Sequence, residues 1–273
     1  MTEMQPPQFQ MRQRIPLSQI TFALIAINVA LFAWQILSGV DVSNPATIDA
    51  LRWGADYAPL TYLEEPFRVF SSTFFHFGLI HLMLNMWALY IFGNAVEKTL
   101  GHFYFLGLYL LAGIMGSLLS GYLDIRNSYE LIQNFDPSLF PRVSAGASGA
   151  VMGLGGALTL LSFLPPLPRQ QFIFDRKSLV IVLILNLGMG FMIPGINNAA
   201  HIGGMIMGAT MALLWYLGQK MRFNWMMSFI LLVIGAATCW MFYQYNLSLI
   251  EGIRPIWSEI LMQMKTQLNF KSN

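Results

Sequence analysis

Charge is what this sequence has least of. Among 273 residues, 15 are Lys or Arg and 13 are Asp or Glu, or 10% in all. An ordinary soluble domain carries about 25%. Hydrophobic residues make up 56%, so the chain lacks the polar surface that would keep a soluble fold of this size in water. Cysteine is nearly absent as well. Cys239 is the single one, which excludes an intramolecular disulfide and a cysteine-based metal knuckle. No run of like charge occurs and the formal net charge is +2. The clustered Lys and Arg of a nucleic-acid surface are therefore missing, and no nucleic-acid partner is expected. The polar first 17 residues do not resemble a secretory signal, and the apolar run after Arg14 is long enough to be a first membrane span.

Uninterrupted apolar sequence is abundant. Residues 15–40, 69–96, 99–123, 143–168, 178–219 and 223–250 contain no Asp, Glu, Lys or Arg. A helix crossing a bilayer needs about 20 apolar residues. The run 178–219 is long enough for two, and Pro194-Gly195 followed by Asn197-Asn198 supplies a turn near its middle. The pattern predicts seven spans, roughly 18–38, 75–95, 103–123, 147–164, 178–195, 200–218 and 224–244. Each must satisfy its own backbone in lipid, so the fold class is all-α, a polytopic membrane helix bundle. The organisation expected is a short N-terminus at 1–17, a six-helix core at 18–218, a loop with a seventh helix at 219–250, and an amphipathic tail at 251–273. With the N-terminus inside, Lys and Arg number 8 on the inner side and 4 in the outer loops. That bias predicts a cytoplasmic N-terminus and an outer C-terminus in a cell membrane, the inner one in a Gram-negative bacterium. The loop 39–74 mixes aromatic and acidic residues and suits the outer interface. The tail 250–268 reads as an amphipathic helix, either interfacial or soluble.

Polar residues inside apolar spans are costly and point to function. Span two carries His76, His81 and Asn85. His81 and Asn85 are four apart and share a helix face, whereas His76 is turned about 140° from His81. Span four opens with Gly146-Ala147-Ser148-Gly149, and span six with Ala200-His201-Ile202-Gly203-Gly204. Spans two, four and six run in the same direction. His81, Asn85, Ser148 and His201 therefore fall at a similar depth toward the outer face. Gly149 with Gly153, and Gly204 with Gly208, are small-xxx-small pairs that let two helices approach closely. A serine is a weak nucleophile until a base takes its proton, and His201 is the available base. No predicted span contains a carboxylate, so the arrangement reads as a dyad. The Ser148 N–H in a first helical turn, with His81 and Asn85, can supply oxyanion donors. Each feature alone has a plainer reading, as a packing face or a structural histidine; their joint placement favours catalysis.

These residues resemble the signature of the rhomboid family of intramembrane serine proteases. The similar elements are His76-x4-His81-x3-Asn85, Gly146-Ala147-Ser148-Gly149 and Ala200-His201-x2-Gly204-x3-Gly208, with Phe67-Arg68 in the first loop and Glu97 after span two. The resemblance covers about residues 18–218. It implies Ser148 as nucleophile, His201 as general base, His81 and Asn85 as oxyanion donors, and His76 as a structural or water-organising residue. It also implies that transmembrane segments of other proteins are the substrates, cut near the outer face and beside small residues, with span five and the loop 195–199 as gate and cap. The partners expected are such substrates and the lipid bilayer, with no cofactor and no metal. Members often place an aromatic residue four positions after the serine; here it is Met152, whose thioether still suits contact with a ring. A non-proteolytic client-binding protein on the same scaffold is the alternative. A metal or haem site built from His76, His81 and His201 is a third reading, disfavoured because His76 and His81 do not share a face.

Overall fold

A computed structural model of the chain describes residues 18–166, 175–192, 196–221 and 225–267. The expected N-terminal segment 1–17, parts of the inner loops, part of the cap at 195–199 and the last residues of the tail lie outside them. The described residues form eleven α-helices and no named strand. Helices α1 (Gln19–Leu37), α5 (Leu79–Leu100), α6 (His102–Gln133), α9 (Asn198–Lys220) and α10 (Trp225–Leu249) are long and apolar enough to cross a bilayer. Helices α7 (Ser148–Phe163) and α8 (Arg176–Met192) are shorter. The chain is a polytopic all-α membrane protein. Large apolar side chains such as Trp34, Leu37, Ile80, Trp87, Phe191 and Trp240 are exposed around it, as a lipid-facing surface requires.

Helix α7 lies at the centre, packed against α5, α6, α8 and α9, and most closely against α9. Glycines permit that approach. A Cβ on Gly204 would run into the Gly149 carbonyl, and one on Gly208 into the Gly153 carbonyl. The two small-residue pairs therefore face each other backbone to backbone, as their spacing predicts. At sixteen residues, Ser148–Phe163, α7 is only about 24 Å long.

Several helices outrun the charge-free runs that predict them. Helix α5 continues through Glu97 and Lys98, and α6 passes Asp124 and Arg126 to reach Gln133. A charge stops a membrane span; it does not stop a helix that leaves the membrane. Glu97 is fully buried at the end of α5 and takes over the capping of α1. Its carboxylate accepts hydrogen bonds from the Ile20 N–H at 2.9 Å, the Thr21 N–H at 2.8 Å and the Thr21 hydroxyl at 2.6 Å. Ser18, the formal cap of α1, makes no side-chain bond to it. Glu97 also pairs with His102 Nδ1 at 2.5 Å. Glu97→Ala is expected to orphan those donors and destabilise the protein by about 2 kcal/mol, read as a fall in unfolding temperature in detergent.

The segment between α1 and α5 folds into α2 (Thr47–Arg52), α3 (Ala58–Leu63), α4 (Arg68–Ser71) and a 3-10 turn at Ser72–Phe74. Arg68 knits it together from a buried position. Its Nη1 donates to the carbonyls of Leu51 at 2.8 Å and Ala55 at 2.7 Å, and its Nη2 pairs with Glu65 at 2.7 Å. The amphipathic tail forms α11 (Arg254–Gln267) and packs on α3. Trp257 is fully buried beside Tyr62, Ile125 and Ile253, and its indole N–H donates to Ser128 Oγ at 3.0 Å. Ile253, Trp257 and Leu261 of this segment thus bury against protein, while Ile256 and Met262 stay exposed.

Candidate active site

The sequence places Ser148, His201, His81 and Asn85 in one layer, and the fold brings their elements together at one end of α5, α7 and α9. Ser148 opens α7, His201 lies in the first turn of α9, and His81 and Asn85 lie in the first two turns of α5. His201 and Asn85 are buried, and Ser148 and His81 are partly so. The His81 imidazole is near enough to His201 to interact with it electrostatically.

Gly146 is the hinge of the arrangement. Its φ is +128°, a region that side-chain-bearing residues rarely adopt. A Cβ there would meet His81 Cε1 at 2.7 Å and Nε2 at 2.9 Å, with Asn85 Nδ2 at 3.9 Å. The loop backbone before Ser148 therefore lies directly against the two polar side chains of α5. The Gly146 N–H is held by the Ser72 carbonyl at 2.8 Å, and the Ala147 N–H by His76 Nε2 at 3.4 Å. His76 is fully buried with its ring 5.3 Å from that of His81. It touches the backbone beside the serine, consistent with a structural role.

Hydrogen bonding also sets the His81 tautomer. Its Nδ1 accepts the Phe77 N–H at 3.2 Å, which leaves the proton on Nε2, the atom turned toward Gly146. Asn85 Nδ2 donates one of its protons to the His81 carbonyl at 3.0 Å and keeps the second. Ala147, the cap of α7, makes no side-chain cap bond, and the Ser148 N–H has no acceptor among the described residues. The His81 and Asn85 side chains thus flank the Gly146 backbone two residues before Ser148.

His201 Nδ1 is buried and has no hydrogen-bond partner among the described residues. Among the described residues Ser148 Oγ and His201 form no hydrogen bond, although the helices that carry them are in backbone contact. Such bonds are commonly long in a free enzyme and tighten with substrate. Met152, one turn after Ser148, is buried in the α7 core.

Two participants escape a reading of the sequence. Asp56, between α2 and α3, pairs with Ser144 in an isolated antiparallel bridge, each N–H meeting the other's carbonyl at 2.8 Å. The bridge fixes the chain four residues before Ser148. The Asp56 carboxylate accepts the Thr61 hydroxyl at 2.6 Å, with Arg68 and Asp124 facing it. Burial pushes its pKa up to about 6. The folded state thus holds a proton that the unfolded state releases near pH 4. The stabilisation is complete below about pH 4 and is lost as pH rises through 6, on the order of 3 kcal/mol in all. Asp56→Asn is expected to shrink this slope, as measured by unfolding temperature between pH 4 and 7. The second participant is Asn197, the cap of α9. A signal for it exists in the Asn197-Asn198 turn before span six, but its partners come from segments far away in sequence.

The family model described as Rhomboid domain matches residues 63–220. Rhomboid protease GluP of Bacillus subtilis (strain 168) is 32% identical over 224 residues, which cover 82% of this chain and 40% of that protein. Rhomboid protease AarA of Providencia stuartii is 28% identical over 262 residues, 90% of each chain. RHOMBOID-like protein 5 of Arabidopsis thaliana is 34% identical over 170 residues, covering 60% of this chain and 49% of that protein. The chain thus spans less than half of GluP and of the plant protein, and nearly all of AarA.

Proposed function

The chain belongs to the rhomboid family, and on that premise we propose that it is an intramembrane serine endopeptidase with Ser148 as nucleophile and His201 as base. The observation that carries the reading is the convergence of Ser148, His201, His81 and Asn85 at one end of α5, α7 and α9. Ser148 Oγ attacks the scissile carbonyl as its proton passes to His201. The developing oxyanion accepts hydrogen bonds from the Ser148 N–H, His81 Nε2 and Asn85 Nδ2. Collapse expels the amine, which takes the proton from His201 and leaves an acyl ester on Ser148. Water, deprotonated by the same imidazole, hydrolyses the ester. The substrates are transmembrane segments of other membrane proteins, cut near the outer face. The excess of Lys and Arg in the inner loops supports a cytoplasmic N-terminus, in a cell membrane.

The place of Ser148 in the first turn of α7, partly exposed, supports this reading, because its backbone N–H is free of an intrahelical partner. So does the small-residue contact of α7 with α9, which sets the two catalytic elements backbone to backbone. A client-binding role is not favoured, since both members of the dyad are retained. The test is cleavage of a tagged membrane-helix substrate by the purified chain in proteoliposomes. A new terminus within the substrate helix, in its outer half, is expected. An intact substrate after prolonged incubation would remove the protease reading.

A further inference from the structure

The geometry points to Asn197 and Ser144 as a clasp that holds the base over the nucleophile, an inference that rests on the protease reading above. Every hydrogen-bonding function of the Asn197 side chain is directed. Its Oδ1 accepts the Ala200 N–H at 3.0 Å and caps α9. Its Nδ2 donates to Ser120 Oγ on α6 at 2.6 Å and to Ser144 Oγ at 3.0 Å. Its carbonyl receives the His201 N–H at 3.2 Å.

The spacing gives this contact its consequence. Asn197 stands four residues before His201, and Ser144 four residues before Ser148. One side-chain amide therefore joins the start of the histidine helix to the start of the serine loop. Ser144 is itself fixed, since Asp56 pairs with its backbone in both directions at 2.8 Å. Ser120 anchors the other donor to α6, the long helix packed against both α7 and α9.

Such a clasp matters here because other restraints on the dyad are weak. His201 Nδ1 has no partner to orient the ring among the described residues, and the two catalytic side chains are not hydrogen-bonded to each other. What sets their relation is the placement of the two backbones. Displacing a reacting group by about 1 Å can cost roughly a hundredfold in rate. Asn197 and Ser144 are positioning residues; neither reaches the reacting atoms.

The test compares Ser144→Ala, Ser144→Thr and Asn197→Ser with the parent chain and with Ser148→Ala, all in proteoliposomes with a tagged membrane-helix substrate. Ser144→Ala removes one acceptor and leaves the cap of α9. Asn197→Ser keeps a capping oxygen but cannot span to Ser120 and Ser144. The expected result is a roughly tenfold fall in kcat for Ser144→Ala and a larger one for Asn197→Ser, with KM unchanged within about twofold. Ser144→Thr retains the hydroxyl and is expected to restore kcat to within about threefold of the parent. Parent-level kcat in both Ser144→Ala and Asn197→Ser, with Ser148→Ala inert, would overturn the clasp and leave the protease reading standing. So would a loss in Ser144→Ala that threonine does not restore. An inert parent chain, or an active Ser148→Ala, would instead remove the protease reading and the clasp with it.

Discussion

Ser148→Ala and His201→Ala are each expected to lower cleavage of a membrane-helix substrate at least roughly a thousandfold, and the double variant is expected to be no worse than either single one. The two side chains act as a unit. Without the imidazole the hydroxyl keeps its proton and is a poor nucleophile. Without the hydroxyl there is nothing for the imidazole to activate. Additive losses would mean that the residues work in separate steps and would contradict the proposed dyad. His81 and Asn85 are expected to matter less. In the proposed mechanism each contributes one oxyanion donor beside the Ser148 N–H, so removing either is expected to cost roughly 10- to 100-fold, less than the loss of a dyad member.

Gly146→Ala is expected to cut kcat at least roughly a hundredfold. Two independent costs fall on one methyl group. The backbone there has a φ of +128°, which strains an alanine. The added Cβ would also lie 2.9 Å from His81 Nε2, too close for an undisturbed contact. Either the loop withdraws and carries Ser148 with it, or His81 turns away and the oxyanion loses a donor. A small loss of unfolding temperature is expected beside the large loss of turnover, because His81 and the loop can each move. Comparing the two measurements separates the effect on the site from the effect on the fold. Gly101, also at positive φ but with open space around its would-be Cβ, supplies the control: Gly101→Ala bears the strain without the collision.

Much of the core was legible because a bilayer imposes a simple rule, that charges are excluded from spans. The charge-free runs place α1, α5, α7, α8, α9 and α10 to within a few residues at most ends. The rule fails where helices leave the membrane. It ends span three at 123, whereas α6 runs on to Gln133, and it treats Glu97 as a loop residue although it is buried and caps α1. The layer between α1 and α5 was not legible. Its short helices α2, α3 and α4 have no long periodic pattern, and they hold their shape through contacts distant in sequence, as with Arg68 and the Leu51 carbonyl or Tyr62 and Trp257. The tail helix shows the same limit: its apolar face is evident from spacing, but its partner, α3, is not.

The candidate site divides along the same line. His81 and Asn85 share a helix face at a spacing of four, and the glycine pairs announce the contact of α7 with α9. Local patterns carry that much. The Asp56–Ser144 bridge and the Asn197 side chain join three or more separate segments, and no local pattern encodes them. The proposed roles of Ser148, His201, His81 and Asn85 rest on placement and on the rhomboid family pattern, so they call for a chemical test.

The most direct test of the dyad is covalent labelling by a serine-reactive fluorophosphonate, with the modified residue located by mass spectrometry. One rapidly labelled position, Ser148, is expected, with at least a roughly hundredfold slower reaction in His201→Ala. Rapid labelling elsewhere, or labelling of Ser148 at an unchanged rate without His201, would contradict the dyad.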